Sequence, residues 1–133
     1  MNFLARNTDY AVRALIYMAQ RAPALVSTAD LDRDLRLPRP FMRKSLQVLA
    51  RGGYLESVKG KNGGFRLKRD PVNVGLMEVM TLFQGPIGLG DCLFQKKICS
   101  CRSNCPLRKE VQTMETLLIG HLRTVTLASL MKG

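Results

Sequence analysis

The 133 residues predict a mainly α-helical chain with one small β-hairpin. Three observations predict it. Apolar residues recur at helical spacing through most of the chain. One stretch, "YLESVKGKNGGFRLKRD", breaks that rhythm with two short strand-like runs around a glycine-rich tip. A late stretch beginning "CPLRKEVQTMETLLIGHL" carries an apolar stripe long enough for a helix of about 20 residues. The architecture expected is a winged helix-turn-helix domain followed by a long C-terminal dimerisation helix.

The elements follow in order. Residues 8–21 place Tyr10, Ala14, Ile16, Tyr17 and Met18 near helical spacing, with Thr8 or Asp9 to cap the start and Pro23 beyond the end. Residues 27–36 begin "STADLDRDLR"; Ser27 or Thr28 suits an N-cap, acids follow in the first turn, and Leu31 and Leu35 face one way. Pro38 and Pro40 break this helix, and proline is tolerated in a first helical turn, so a third helix starts there. It runs "FMRKSLQVLAR", with Phe41, Leu46, Leu49 and Ala50 expected inward and Arg43, Lys44 and Gln47 on another face. Gly52 and Gly53 end it. Tyr54 to Val58 and Phe65 to Lys68 read as a hairpin, with Asn62-Gly63 supplying the positive φ values of a tight turn.

After Pro71, Leu76, Val79, Met80 and Phe83 recur at i, i+3, i+4 and i+7, another helix. Residues 85–104 read as a loop that carries cysteines. Pro106 can occupy the first position of the long helix, whose apolar residues are Leu107, Val111, Met114, Leu117, Leu118, Leu122 and Val125. That stripe packs on the chain's own core or on a second copy, and a homodimer is favoured because such motifs read paired half-sites. "TLASLM" closes the chain as a short helix. The expected divisions are 1–84 for the winged domain, 85–104 for the cysteine loop, and 105–133 for the dimerisation helix and C-terminal segment.

Charge narrows the function. The formal net charge is +11, which suits a polyanionic partner. Between residues 36 and 69 stand Arg36, Arg39, Arg43, Lys44, Arg51, Lys59, Lys61, Arg66, Lys68 and Arg69 against the one acid Glu56. An ordinary solvated face mixes both signs. A helix fits the major groove, where Arg and Lys pair with guanine and Gln with adenine, so Arg39, Arg43, Lys44 and Gln47 are the candidates for reading bases. Lys59, Lys61, Asn62 and Arg66 on the hairpin suit the backbone or the minor groove. Thr28, at a helix N-terminus, can donate to a phosphate. Double-stranded DNA is the partner this pattern implies. No apolar run approaches a membrane span, and the early charges Arg6, Asp9 and Arg13 argue against a secretory signal, so the expected location is cytoplasmic.

Cys92, Cys99, Cys101 and Cys105 are the four cysteines, spaced C-x6-C-x-C-x3-C. In a reducing compartment such a group binds metal or does redox chemistry. The spacing lacks the paired C-x2–4-C of common zinc sites, although Cys101 and Cys105 alone would qualify, and iron–sulfur sites accept irregular spacing. Zinc and iron–sulfur both stay open on spacing. The basic residues Lys96, Lys97, Arg102, Arg108 and Lys109 would offset a negatively charged cluster. An enzyme is not expected: the one histidine, His121, lies in the apolar helical stripe and reads as a packing residue.

"NTDYAVRALIYMA", then "ESVKGKNGGFRL" followed by "VGLMEVM", then a cysteine segment ending "CPL" before a long helix, together resemble the IscR/NsrR family of bacterial transcription regulators. The resemblance spans essentially the whole chain. It implies a winged-helix homodimer crossed through the long C-terminal helix, with an iron–sulfur cluster, 2Fe–2S or 4Fe–4S, on three cysteines of each subunit. Cluster state would set DNA affinity, in response to nitric oxide, iron supply or redox stress. By position the three cysteines match Cys92, Cys99 and Cys105, and Cys101 is a departure. The family's fourth ligand varies. This chain has no histidine close after Cys105, which leaves Cys101 or Asp9 of the partner subunit, with the softer thiolate preferred. A plain N-cap is the competing role for Asp9. The "PRPFMRK" start of the third helix is more basic than in cluster-homeostasis members, so the operator stays open.

The leading expectation is a dimeric DNA-binding repressor sensing through its cluster. A second keeps the DNA and gives the cysteines to zinc or to a thiol redox switch. A third makes the basic face a dock for an acidic protein partner.

Overall fold

The structure, a computed structural model, describes residues 3–89 and 104–133. Cys92, Cys99 and Cys101, and the basic residues Lys96, Lys97 and Arg102, lie outside the described residues. Helix α1 (Arg6–Arg21) carries Ala11, Ala14, Leu15 and Met18 on one face with no exposed surface at all. That face is small as well as apolar, so neighbours approach closely on several sides. The helices α2 (Thr28–Leu35), α3 (Arg39–Arg51), α4 (Leu76–Gln84) and α6 (Leu127–Met131) all pack against it, as does strand β2 (Gly64–Leu67). Full burial of each larger side chain here is worth about 1.5–3 kcal/mol.

The start of α1 differs from the sequence reading. Neither Thr8 nor Asp9 is the cap; the helix begins at Arg6, and Ala5 is its N-cap without a side-chain bond. Thr8 is buried inside the first turns, and Asp9 pairs with Arg13 one turn on at 3.0 Å.

At α2 the cap falls on Ser27. Its hydroxyl accepts from the Asp30 N–H at 3.1 Å, and the Asp30 carboxylate accepts from the Ser27 N–H at 3.0 Å. This reciprocal pair satisfies two donors that a helix start otherwise leaves open. The same bonds hold the Asp30 carboxyl below its ordinary range. The turn into α3 runs through Arg36, whose φ of 51° is left-handed, and then Leu37 and Pro38. Pro38 caps α3 and Pro40 sits in its first turn.

On α3 the inward residues are Met42, Ser45, Leu46 and Leu49. Phe41 is not among them; it is 44% exposed, and its ring lies 6.3 Å from that of Tyr10. At 100° per residue, a stripe through Met42, Leu46 and Leu49 leaves Phe41 on the flank of the helix.

The hairpin pairs β1 (Leu55–Val58) with β2 in antiparallel register, Leu55 opposite Leu67 and Val58 opposite Gly64. Its tip departs from the expected Asn-Gly turn. The positive φ of 115° belongs to Gly60, and the Gly63 N–H closes a turn onto the Gly60 carbonyl at 3.0 Å. Gly63 and Gly64 are required by close approach. A Cβ on Gly63 would stand 2.1 Å from the Val58 carbonyl oxygen, and one on Gly64 would stand 2.6 Å from that of Val26. Val26, between α1 and α2, exchanges backbone bonds with Phe65 at 2.7 and 2.8 Å and so fixes the hairpin to the helices.

A 3-10 turn (Pro71–Asn73) leads into α4. Cys105 is the N-cap of α5 (Pro106–Leu122), with Pro106 at its first position as expected. Beyond α5 the chain returns to the winged domain. Leu76 N–H donates to Val125 O at 2.9 Å, Leu127 N–H donates to Val74 O at 2.8 Å, and Leu127 joins the core at 3% exposure. Along α5, Leu107, Met114 and Leu117 are exposed at 71%, 50% and 69%. His121 is exposed too, so it does not pack on this chain's own core.

Two outcomes follow. Ser27→Ala should cost about 1 kcal/mol in urea unfolding, the usual loss of a cap, whereas Thr28→Ala should cost a few tenths at most. Asp34 gives a pH signature. It takes bonds from the Arg33 guanidinium and from the buried Tyr17 hydroxyl, and these hold its carboxyl down from 3.8 to about 2. A carboxyl lowered on folding stabilises above its free value and loses that contribution as pH falls through its folded value. The melting temperature of Asp34→Asn should therefore lie below wild type by a constant margin from pH 7 to pH 5. The gap should close between 3.8 and about 2.

Candidate nucleic-acid interface

The buried stripe of α3 decides which side chains look outward. With Met42, Ser45, Leu46 and Leu49 inside, Arg43, Lys44 and Gln47 are all exposed on the far side. Arg51 continues that face, one turn past Gln47, and is exposed as well. Arg51 belongs to the basic run of the sequence but not to its base-reading candidates, although its i+4 and i+7 spacing from Gln47 and Lys44 points to it. Such a helix surface, convex and cationic, matches the width and charge of a DNA major groove.

Between the first turns of α2 and α3 lies an open hollow of about 100 Å³, lined in part by Thr28, Ala29, Asp32, Arg39 and Arg43. Thr28 and Ala29 are the first residues of α2, where backbone N–H groups lack intrahelical acceptors. Amide donors, a hydroxyl and two guanidinium groups converge there, a combination able to bind a phosphate oxygen. Asp32 offsets part of that charge. Its carboxylate takes the Arg39 guanidinium at 2.8 Å, in a pair exposed enough to be exchanged for another anion at little cost.

The wing presents a second cationic group. Lys59, Lys61 and Asn62 are exposed around its tip. Arg66 is held differently. It donates to Glu56 across the hairpin at 2.7 Å, and this bond lowers the Glu56 carboxyl and raises the Arg66 guanidinium. The structure therefore brings Thr28, Arg39, Arg43, Lys44 and Gln47 together on the two-helix unit. It sets Lys59, Lys61 and Asn62 on the wing and keeps Arg66 engaged at the wing's base.

Cys105 is half-buried at the head of α5, with a free thiol. Asp9 gives both carboxylate oxygens to Arg13, at 3.0 and 3.1 Å. Among the described residues no three His, Cys, Asp or Glu side chains gather as a metal site. The donor type fits an iron–sulfur group: Cys105 is an uncommitted thiol at the mouth of the segment that carries the other three cysteines. No described helix is long and apolar enough to cross a membrane.

Comparison with known proteins places the chain. The Rrf2 family pattern, described as "Iron-dependent Transcriptional regulator", matches residues 4–133. A curated relative, Protein aau3 of Rhizobium meliloti (strain 1021), is 32% identical over 123 residues, 89% of this chain and 80% of that protein. Among solved structures, CymR (YrzC), the global cysteine regulator of B. subtilis, superposes with a TM-score of 0.82 at 18% identity, over 99% of this chain and 98% of that one. T. potens IscR superposes with a TM-score of 0.68 at 22% identity, over 97% and 85%. These two likenesses show the fold. With a family match across nearly its whole length and a curated relative at that identity, the chain belongs to the Rrf2 family of transcriptional regulators, which are DNA-binding proteins and not enzymes.

Proposed function

We propose that this chain is a homodimeric repressor whose grip on an operator is set by an iron–sulfur cluster held on Cys92, Cys99 and Cys105. The observation that carries the DNA half is the unbroken exposed face of Arg43, Lys44, Gln47 and Arg51, flanked by the wing cations. Support for the sensing half comes from four cysteines gathered just ahead of α5 and from the iron dependence in the family's description. Cys101 is the preferred fourth ligand over Asp9 of the partner subunit. Asp9 would first have to release the Arg13 Nε–H that its two oxygens share. A bound cluster would supply a centre that reacts with oxidants or nitric oxide. The second copy would cover Leu107, Met114 and Leu117, which one chain leaves exposed on α5.

Two measurements check this. Replacing Arg43 or Lys44 by Ala should weaken binding to duplex DNA and flatten the salt dependence by about 0.9 in slope for each phosphate no longer neutralised. Arg66→Ala should change the slope less, because Glu56 already holds that guanidinium. Unchanged slopes for Arg43→Ala and Lys44→Ala would place the interface elsewhere. For the cofactor, protein purified without oxygen should show broad visible absorption with matched iron and sulfide, and alanine at Cys92, Cys99 or Cys105 should abolish it. Colourless protein with stoichiometric zinc would assign the cysteines to zinc. Colourless, metal-free protein would make the thiols themselves the switch.

A further inference from the structure

The chain enters the cysteine segment directly after Gln84, the last residue of α4, and the Gln84 side chain reaches back to the opposite end of the sequence. Its Oε1 accepts from the Ala5 N–H at 3.1 Å and from the Thr8 hydroxyl at 2.8 Å. Its Nε2 donates to the Phe3 carbonyl at 3.0 Å. One amide therefore holds the entry to α1, from Phe3 to Thr8, at three points. Thr8 is wholly buried, so its hydroxyl depends on that acceptor.

From this turn a path runs on to the DNA-facing helix. Tyr10 lies two residues past Thr8, and its ring meets Phe41 at 6.3 Å, tilted by 59°. Phe41 stands between Arg39 and Arg43, and it is the aromatic residue that the apolar pattern had assigned to the core. On the other side of Gln84, the exit from α4 is also fixed. Gly85 turns the chain at a φ of 76°, and the Leu89 N–H donates to Glu115 of α5 at 3.1 Å. Strain arising beyond Leu89 thus meets two anchors, one on α5 and one, through Gln84, on α1.

We propose that Gln84 is a positioning residue that couples the cysteine segment to the recognition helix, through the first turn of α1 and the Tyr10–Phe41 pair. The proposal rests on the reading that the cysteines control DNA binding, and it names the route. A pull on the end of α4 shifts Ala5 and Thr8; Tyr10 moves with them, and the start of α3 follows. The simpler role, a staple that only steadies the end of α1, makes different predictions.

Amide hydrogen exchange on the full chain separates the two. The cysteine segment is perturbed by chelator treatment followed by alkylation with iodoacetamide. Gln84→Ala removes all three bonds, whereas Gln84→Glu keeps the acceptor for Ala5 and Thr8. In wild type and Gln84→Glu, alkylation should change exchange at residues 39–43 by several-fold or more. In Gln84→Ala it should leave 39–43 unchanged while the rest of the core stays protected. An equal response at 39–43 in wild type and Gln84→Ala would overturn the role of Gln84 and leave cysteine control of DNA binding intact. No response in the wild type would sink both.

Discussion

Everything in this fold depends on one face of α1 being small enough to be shared. Ala11 and Ala14 are wholly buried, and larger side chains at those positions would hold the elements packed on α1 at a distance. Helices usually pack with axes about 8–10 Å apart, and the lower end needs small residues where they meet. Because α1 touches α2, α3, α4, α6 and β2, it is the element that joins α3 to α4 and α6. Interiors packed to crystal-like density pass a displacement on, having no voids to absorb it. A recognition helix and a helix leading to a cysteine segment, both seated on α1, are for that reason mechanically related.

The charges are divided along the same lines. Arg13, Arg33, Arg39 and Arg66 each have an acid within 3.3 Å or less, and those acids are Asp9, Asp30, Asp34, Asp32 and Glu56. Each pair is largely solvated, so none contributes much to stability. Their effect is on what remains available. Nearly every acid of α2 and the wing is engaged, and Arg43, Lys44, Lys59 and Lys61 stand on the outer surface beside them. Pairing thus concentrates the excess positive charge where α3 and the wing tip face outward, and a concentrated field attracts a polyanion faster than the same charge dispersed.

What the sequence made legible was local. The cap of α2 at Ser27 or Thr28, the prolines that open α3 and the Cys105-Pro106 start of α5 are each decided within a few residues; the cap falls on Ser27, and the other two stand where the pattern put them. The face of α3 was legible in outline, because a charged residue is costly to bury. Phe41 was not. An aromatic residue between two arginines reads as core by composition, and only the phase set by Met42, Leu46 and Leu49 turns it outward. The start of α1 and the role of Gln84 were hidden for another reason: the bonds that define them join residues 76 to 81 positions apart. No window along the chain contains both partners. The Asn-Gly signal at the wing misled because a longer loop passed the positive φ to Gly60.

The placement of Cys105 joins the proposed sensor to the proposed dimer. A helix of 17 residues spans about 25 Å. Its first end is capped by Cys105; its middle exposes Met114 and Leu117 and accepts the Leu89 N–H at Glu115; its last turn buries Leu122. A ligand held at the cap and a second copy seated on the exposed apolar residues would therefore act on the same helix. The winged domain meets that helix at α4 and the chain beyond it at α6, and it holds the exit of α4 at Gln84. Leu127 lies beside Val12 and Leu15 in the middle of α1, and Thr8 sits in its first turns. Both contacts therefore bear on α1, the element on which α3 is also packed.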